Sequence, residues 1–327
     1  MPQFDLPLDR LREYRAEHEA PADFDDFWLA TLSASRERGW EPIVAPVDTG
    51  LTLVETSDVT FAGFAGDPIR AWWHRPADRP PIGVVVEFLG YSLGRGLPHQ
   101  QREWPLAGYA HLLVDSRGQG YALAHPGATA DPHGSGGSAV PGQMTRGIED
   151  PETYYYRRLY TDAALAVDVA RGLAGADVPL FVAGASQGGA LTIAAAALDA
   201  LAGRGRLAGA LPDVPFLCDF PRATTLVDSF PYGEIVTYLA TFRDRVAQTF
   251  RTLSYFDGVH LAARAQAPAL FSTALMDEIC PPSTVFAAFH AWGSEDRSIE
   301  VYPFSGHEGG GVHHRAAQLR WLRDRVG

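Results

Sequence analysis

Two pentapeptides in this chain, Gly184-Ala185-Ser186-Gln187-Gly188 and Gly90-Tyr91-Ser92-Leu93-Gly94, share the spacing Gly-x-Ser-x-Gly. That spacing presents a serine hydroxyl on a tight turn, where it can serve as a nucleophile in acyl transfer. The flanking glycines let the backbone reverse without a Cβ clash, and the backbone N–H that follows the serine can point at a developing oxyanion. Context separates the two serines. Before Ser186 runs a short apolar stretch, Pro179 to Ala183, expected to be a buried strand, and from Gly189 onward small side chains predict a helix. Gln187, at the helix start, then offers its N–H to the oxyanion. Ser92 also follows a strand-like run, Gly83 to Phe88, but Arg95-Gly96-Leu97-Pro98 cannot begin such a helix. Ser92 is therefore expected in a loop near the same edge.

A serine is a weak nucleophile until a base takes its proton, and the base needs an acid that fixes its tautomer. One histidine and one carboxylate stand just beyond late apolar runs. Asp277 follows Ala269 to Met276, and His307 follows Ile299 to Pro303 in the turn Phe304-Ser305-Gly306-His307-Glu308. Glu278 and Asp115, which ends an earlier strand, compete for the role of acid. A second oxyanion donor is expected from the loop Leu89-Gly90-Tyr91-Ser92, with the N–H of Tyr91 as the choice. A metal site is the alternative for His307-Glu308 and His313-His314, but the spacing is wrong for His-Glu-x-x-His and the intervening glycines oppose a helix there. No metal or cofactor is expected.

The elements that must carry these groups read as an α/β protein. Residues 1–40 have helical spacing at Leu8, Leu11 and Tyr14, and Asp23-Phe24-Asp25-Asp26-Phe27-Trp28 resembles a capped helix start; this extension is expected outside the sheet. Thr52 to Phe61 and Ile69 to Arg75 alternate as an antiparallel edge pair around the turn Gly63 to Asp67, with Ile69, Ala71 and Trp73 on one face. From Gly83 the pattern becomes continuous apolar runs separated by helices such as Tyr160 to Leu173 and Val285 to Trp292, the mark of a mostly parallel sheet covered on both faces. Two stretches break the alternation, 122–142 and 214–256, and are expected as loop or lid insertions over the carboxyl edge. No linker divides residues 1–327, so one domain is expected.

Composition narrows the partners. A net charge of -12 disfavours nucleic acid and anionic membrane surfaces. All 27 basic side chains are arginine, which removes Schiff-base, pyridoxal and P-loop lysine chemistry. Cys218 and Cys280 form neither a disulfide framework nor a zinc knuckle, and the start MPQFDLPLDRLREYR lacks an apolar signal core; a cytoplasmic protein is expected.

Taken together, Arg117-Gly118-Gln119-Gly120, Gly184-Ala185-Ser186-Gln187-Gly188 and His307-Glu308, in that order, resemble carbohydrate esterase family seven, the acetyl xylan esterases and cephalosporin C deacetylases. The likeness extends over Leu89-Gly90-Tyr91, residues 153–158, 214–218 and 276–282, and reaches Asp-Phe-Asp-Asp-Phe-Trp near the start. It implies an α/β-hydrolase fold with Ser186 as nucleophile, Asp277 and His307 as partners, and the N–H groups of Tyr91 and Gln187 as the oxyanion hole. By matched position Tyr91 and Ile279 would crowd the acyl pocket. Gly184 and Gly188 are expected to support the turn by their lack of a Cβ, and Arg117, which follows a strand end, to brace it by hydrogen bonding rather than touch substrate. The resemblance further implies small acetylated substrates, no cofactor and a homo-oligomer, a hexamer. A peptidase or lactone hydrolase of the same fold shares the triad, and a catalytically silent binding protein is the reading from another class.

Overall fold

The structure, a computed structural model, describes residues 3–326 apart from 101, 123, 135 and 176. Its centre is a nine-stranded sheet of β1 Ile43–Val47, β2 Val54–Ala62, β3 Pro68–Pro76, β4 Val84–Phe88, β5 Ala110–Val114, β6 Leu180–Ala185, β7 Gly209–Asp213, β8 Ala269–Ala274 and β9 Arg297–Tyr302. The spatial order is β1-β2-β3-β5-β4-β6-β7-β8-β9, antiparallel from β1 to β5 and parallel from β5 to β9. From β4 the chain steps first to β5 on one side and later to β6 on the other. The strand order reverses there, and the two connections leave a crevice beyond the carboxyl ends of β4 and β6.

The central strands are buried on both faces, so their side chains alternate between two apolar layers. Val84, Val86, Leu180 and Val182 pack beneath the helices Tyr155–Ala174 and Gln187–Leu201, while Val85, Phe181 and Ala183 face the terminal helix Gly311–Val326 with Leu322. The helix Gln187–Leu201 is buried over nearly its whole surface, and only alanines, glycines and a few aliphatics fit so close to the strands. Its small-residue run, legible in the sequence, is thus a packing requirement.

Two expectations need revision, and one strand was not foreseen. The pair β2–β3 is antiparallel with the expected turn, but β1 adds outside it, and β3 pairs with β5 as well. Because β3 is internal, both its faces are covered: Trp72 and His74 are buried alongside Ile69, Ala71 and Trp73. Second, β7 had no sequence signal, since Gly209-Ala210-Leu211-Pro212-Asp213 is short and carries a proline, which cannot donate to a ladder. Third, Asp23 precedes the helix Phe24–Arg36 but caps it with no side-chain hydrogen bond. Its carboxylate accepts from Tyr255 Oη at 2.6 Å instead. One side of that helix is anchored in the core: Trp28 is fully buried, stacks on Tyr160 with ring centroids 6.0 Å apart, and donates through Nε1 to the Tyr255 carbonyl at 3.0 Å.

The stretch 214–256 folds as three helices, Phe220–Leu226, Tyr232–Thr241 and Val246–Ser254. The stretch 122–142, of which residues 123 and 135 lie outside the described residues, forms no helix or strand among those described. No helix of the described residues is long and apolar enough to cross a membrane.

Candidate active site

Ser186 stands where β6 ends and the helix Gln187–Leu201 begins, with φ 59° and ψ -121°. A side-chain-bearing residue rarely holds a positive φ, and doing so costs about 1–3 kcal/mol, which the surrounding packing must offset. The turn lifts the hydroxyl off the sheet edge. The flanking glycines are required by space: a Cβ on Gly184 would lie 2.5 Å from the Gly188 carbonyl carbon, and one on Gly188 would lie 2.2 Å from the Phe88 carbonyl oxygen. Both obstacles are backbone. We expect Gly188→Ala to destabilise the protein by about 3 kcal/mol, from overpacking, and to lower esterase activity by displacing the turn. A urea midpoint unchanged from the parent would contradict this.

His307 bridges the serine and the acid. Its Nε2 is 2.9 Å from Ser186 Oγ, and its Nδ1 is 2.9 Å from Asp277 Oδ2 and 3.1 Å from Oδ1. Asp277 is fully buried and held from behind, since its Oδ1 accepts from the N–H groups of Ile279 and Cys280, each at 2.9 Å. The competing acids lie elsewhere. Asp115 accepts from the N–H groups of Arg95 and Ala128 and from the Thr129 hydroxyl, and burial raises its pKa above the ordinary value. Glu278, one residue past Asp277, makes no bond to His307. His314 is buried against Tyr302 and Asp213, and the histidine bonded to the serine hydroxyl is His307.

A cavity of about 970 Å³ opens over the serine. Its wall takes Tyr91 and Ser92 from the loop after β4, Ile279 from the loop after β8, and Phe230, Pro231 and Glu234 from the stretch 214–256. Ser92 is a loop residue on that wall, as expected. The N–H of Gln187 is the first donor of its helix, which no intrahelical carbonyl can accept. Tyr91, the expected source of the second donor, lines the same cavity as the serine, and Gln187 follows the serine directly in the chain.

Two residues do work that the sequence reading placed elsewhere or missed. Arg117 does not reach the nucleophile turn. Its guanidinium is fully buried and turned to Asp162 at 2.6 and 2.8 Å and to Asp67 at 2.9 Å, because a buried cation must be paired. The bracing falls to its motif neighbour Gln119. That amide donates to Gln187 Oε1 at 2.9 Å and accepts from the Ser92 N–H at 2.6 Å, so it ties the serine turn to the loop after β4. Glu234 is buried and accepts from Tyr91 Oη at 2.7 Å and from the Met144 N–H at 2.9 Å. Burial raises its pKa above the usual carboxylate range, against the pull of those hydrogen bonds.

For metal ions, Asp277, Cys280 and His307 offer ligand atoms within 4.8 Å of one another. Their chemistry fits poorly. Asp277 already accepts from three groups, and burial pushes the Cys280 thiol up, so the thiolate that a metal needs is disfavoured. Neither His313 nor His314 joins such a group among the described residues.

A serine, histidine and buried aspartate in hydrogen-bond sequence over a pocket describe a hydrolytic site, and comparison with known proteins gives its kind. Residues 1–325 match the family model for acetyl xylan esterase (AXE1). The chain belongs to the acetyl xylan esterase family. An acetyl xylan esterase from Paenibacillus sp. R4 superposes with a TM-score of 0.88 at 35% identity, covering 98% of this chain and 100% of that one. Acetyl xylan esterase 1 from Thermoanaerobacterium sp. JW/SL YS485 gives 0.86 at 31% identity over 97% of this chain and 98% of that one. The acetyl esterase Axe7A of Xylanibacter ruminicola is 26% identical over 94% of this chain and 67% of its own length. This member of the acetyl xylan esterase family is thus an α/β-hydrolase and a carboxylic ester hydrolase, as the motif resemblance implied.

Proposed function

We propose that the chain removes acetyl groups from small acetylated carbohydrates through an acetyl-enzyme on Ser186. The observation that carries this is His307, placed with one ring nitrogen on Ser186 Oγ and the other on Asp277. Asp277 holds the proton on Nδ1, which leaves Nε2 free to accept. As Ser186 Oγ attacks the acetyl carbonyl, its proton passes to Nε2 and the carbonyl electron pair moves to oxygen. The N–H groups of Tyr91 and Gln187 stabilise that oxyanion. Collapse expels the sugar oxygen, which takes the proton from Nε2. Water then attacks the acetyl-enzyme with His307 again as base, and acetate leaves.

The two-carbon acyl preference has its support in the wall beside the serine, where Tyr91 and Ile279 stand with Phe230. A side chain at these positions occupies the volume that a longer acyl tail would need. With p-nitrophenyl esters we expect kcat/KM to fall at least tenfold from acetate to octanoate, and octanoate matching acetate would exclude an acetyl pocket. A peptidase would require cleavage of a peptide amide by the same triad, and nothing in the site favours it over the ester. The homo-oligomer is part of the proposal, and a monomer in light scattering would remove it. Cephalosporin C offers the same acetyl ester on an anionic leaving group, so the charges on the pocket wall bear on it.

A further inference from the structure

Ser186 Oγ and His307 Nε2 stand 2.9 Å apart on segments distant in the chain, and the segment that carries the histidine has a soft joint. Between His307 and the terminal helix Gly311–Val326 the chain passes through Gly309, Gly310 and Gly311 with φ of 57°, 85° and 48°. Glycine holds such angles without strain and also resists rotation least, so the joint does not by itself fix where the histidine stands. The loop runs close against β7: a Cβ on Gly309 would lie 2.8 Å from Val214 Cγ1. The helix that follows is fastened to the residue before Val214, Asp213, at the end of that strand.

Asp213 holds both segments. Its carbonyl oxygen accepts from the Ser186 N–H at 3.0 Å, and the Phe216 N–H donates to the Ser186 carbonyl at 3.0 Å, so the end of β7 grips the nucleophile turn by its backbone. The Asp213 carboxylate is turned to the terminal helix. Its Oδ2 accepts from Gln318 Nε2 at 2.7 Å, and its Oδ1 lies 2.7 Å from His314 Nε2. Four residues apart on a helix, His314 and Gln318 share one face, and both are buried. His314 Nδ1 is 3.0 Å from the hydroxyl of Tyr302, which ends β9, the strand leading to His307. None of Asp213, His314 and Gln318 lines the cavity. An apolar contact is non-directional and would let the helix slide along the sheet, whereas this polar set fixes its register.

We infer that Asp213 is the positioning residue that sets the separation of nucleophile and base: its backbone holds the Ser186 turn, and its side chain, through His314 and Gln318, holds the helix from which the His307 loop hangs. Asp277 orients the imidazole ring; Asp213 sets where the backbone of that loop stands. The inference rests on the Ser186–His307 pair of the reading above and is independent of the acyl group.

The test alters the helix side of the brace and leaves Asp213 and the serine turn in place. His314→Ala, Gln318→Ala and the double variant are compared with His314→Gln, which can bring an amide N–H to the place of Nε2. Leu322→Val, which trims a fully buried side chain on the apolar side of the same helix, reports what loosening the helix does without touching the brace. All are measured where circular dichroism shows them fully folded. Two readouts are taken: kcat and KM on p-nitrophenyl acetate, and the rate at which diethyl 4-nitrophenyl phosphate labels Ser186. In the labelling Ser186 Oγ bonds to phosphorus, its proton passes to His307 and 4-nitrophenolate leaves. In His314→Ala both kcat and the labelling rate should fall about ten- to a hundredfold with KM little changed, because a displacement of about an ångström between reacting groups costs on that order. The double variant should lose more, and His314→Gln should recover most of the loss. Leu322→Val should lower the urea midpoint and leave both rates at the parent's level. A His314→Ala protein that behaves like Leu322→Val, less stable but with parental rates, would overturn the inference and leave only a helix anchor, and so would a raised KM at constant kcat. Should His314→Ala not fold, Gln318→Ala carries the same comparison. A parent that the phosphate does not label on Ser186 would overturn the serine reading, and the inference with it.

Discussion

Ser186→Ala will lower kcat on acetyl esters by about 10⁶-fold, to the level that binding and oxyanion contacts alone supply. The hydroxyl is the one atom the substitution removes, and it lies 2.9 Å from the base that must take its proton. Without it no acyl-enzyme forms, and only water placed in the pocket can attack. Folding should survive, because alanine keeps the Cβ, and the backbone bonds of Ser186 to Asp213, Ala190 and Phe216 do not use the side chain. Ser186→Gly sharpens the point. Glycine holds φ 59° without strain, so this variant should be at least as stable as the parent and equally inactive. Residual activity in Ser186→Ala within tenfold of the parent would show that another group, with Ser92 the nearest candidate on the same wall, performs the attack.

Asp277→Asn should cost about 10⁴-fold in kcat, a loss larger than the near-identity of the two side chains suggests. Asp277 Oδ1 accepts from the N–H groups of Ile279 and Cys280, so asparagine must place its carbonyl oxygen there. Its NH₂ then occupies the Oδ2 position and donates to His307 Nδ1. That forces the ring proton onto Nε2, the nitrogen facing Ser186, where it cannot accept. The buried amide also gives nothing to stabilise the imidazolium that forms in the reaction. KM should change little, since Asp277 is buried behind His307 and does not line the pocket. An Asn variant retaining a tenth of the parent activity would reassign the acid, and Glu278 would be the next residue to change.

How far these groups were legible in the sequence follows from where each one sits. Ser186, Asp277 and His307 each stand just past an apolar run that became β6, β8 or β9, and a parallel sheet delivers all such ends to one edge. Linear order and strand periodicity were enough to place them. The pocket wall was not legible in the same way. Phe230 and Glu234 come from a stretch without strand periodicity, and no local pattern says that a glutamate in Pro231-Tyr232-Gly233-Glu234 will be buried against Tyr91.

The arginine motif shows a second limit. Sequence marks Arg117 and Gln119 together, but which of them faces the serine turn is decided by Asp162, far along the chain on the helix Tyr155–Ala174, which captures the guanidinium. Gln119 is left to brace the turn. Strands with proline or without a covered face were also hidden: β7 for Pro212, and β1 because its residues are mostly exposed at the sheet edge. The resemblance to the esterases covered the whole chain, yet it carried positions rather than contacts; the bracing role expected of Arg117 from its place after a strand end is met by the contacts of Gln119 instead.

The most direct test of the account is to catch the intermediate. The protein is mixed with a good acetyl donor such as p-nitrophenyl acetate, quenched in acid within the first turnovers, and digested for peptide mass analysis. One added acetyl group is expected on the peptide that contains Ser186, far less in a His307 variant because the same base serves the attack by Ser186, and none in Ser186→Ala. An active protein that never carries acetyl on Ser186, or that carries it on another residue, would contradict the serine mechanism proposed here.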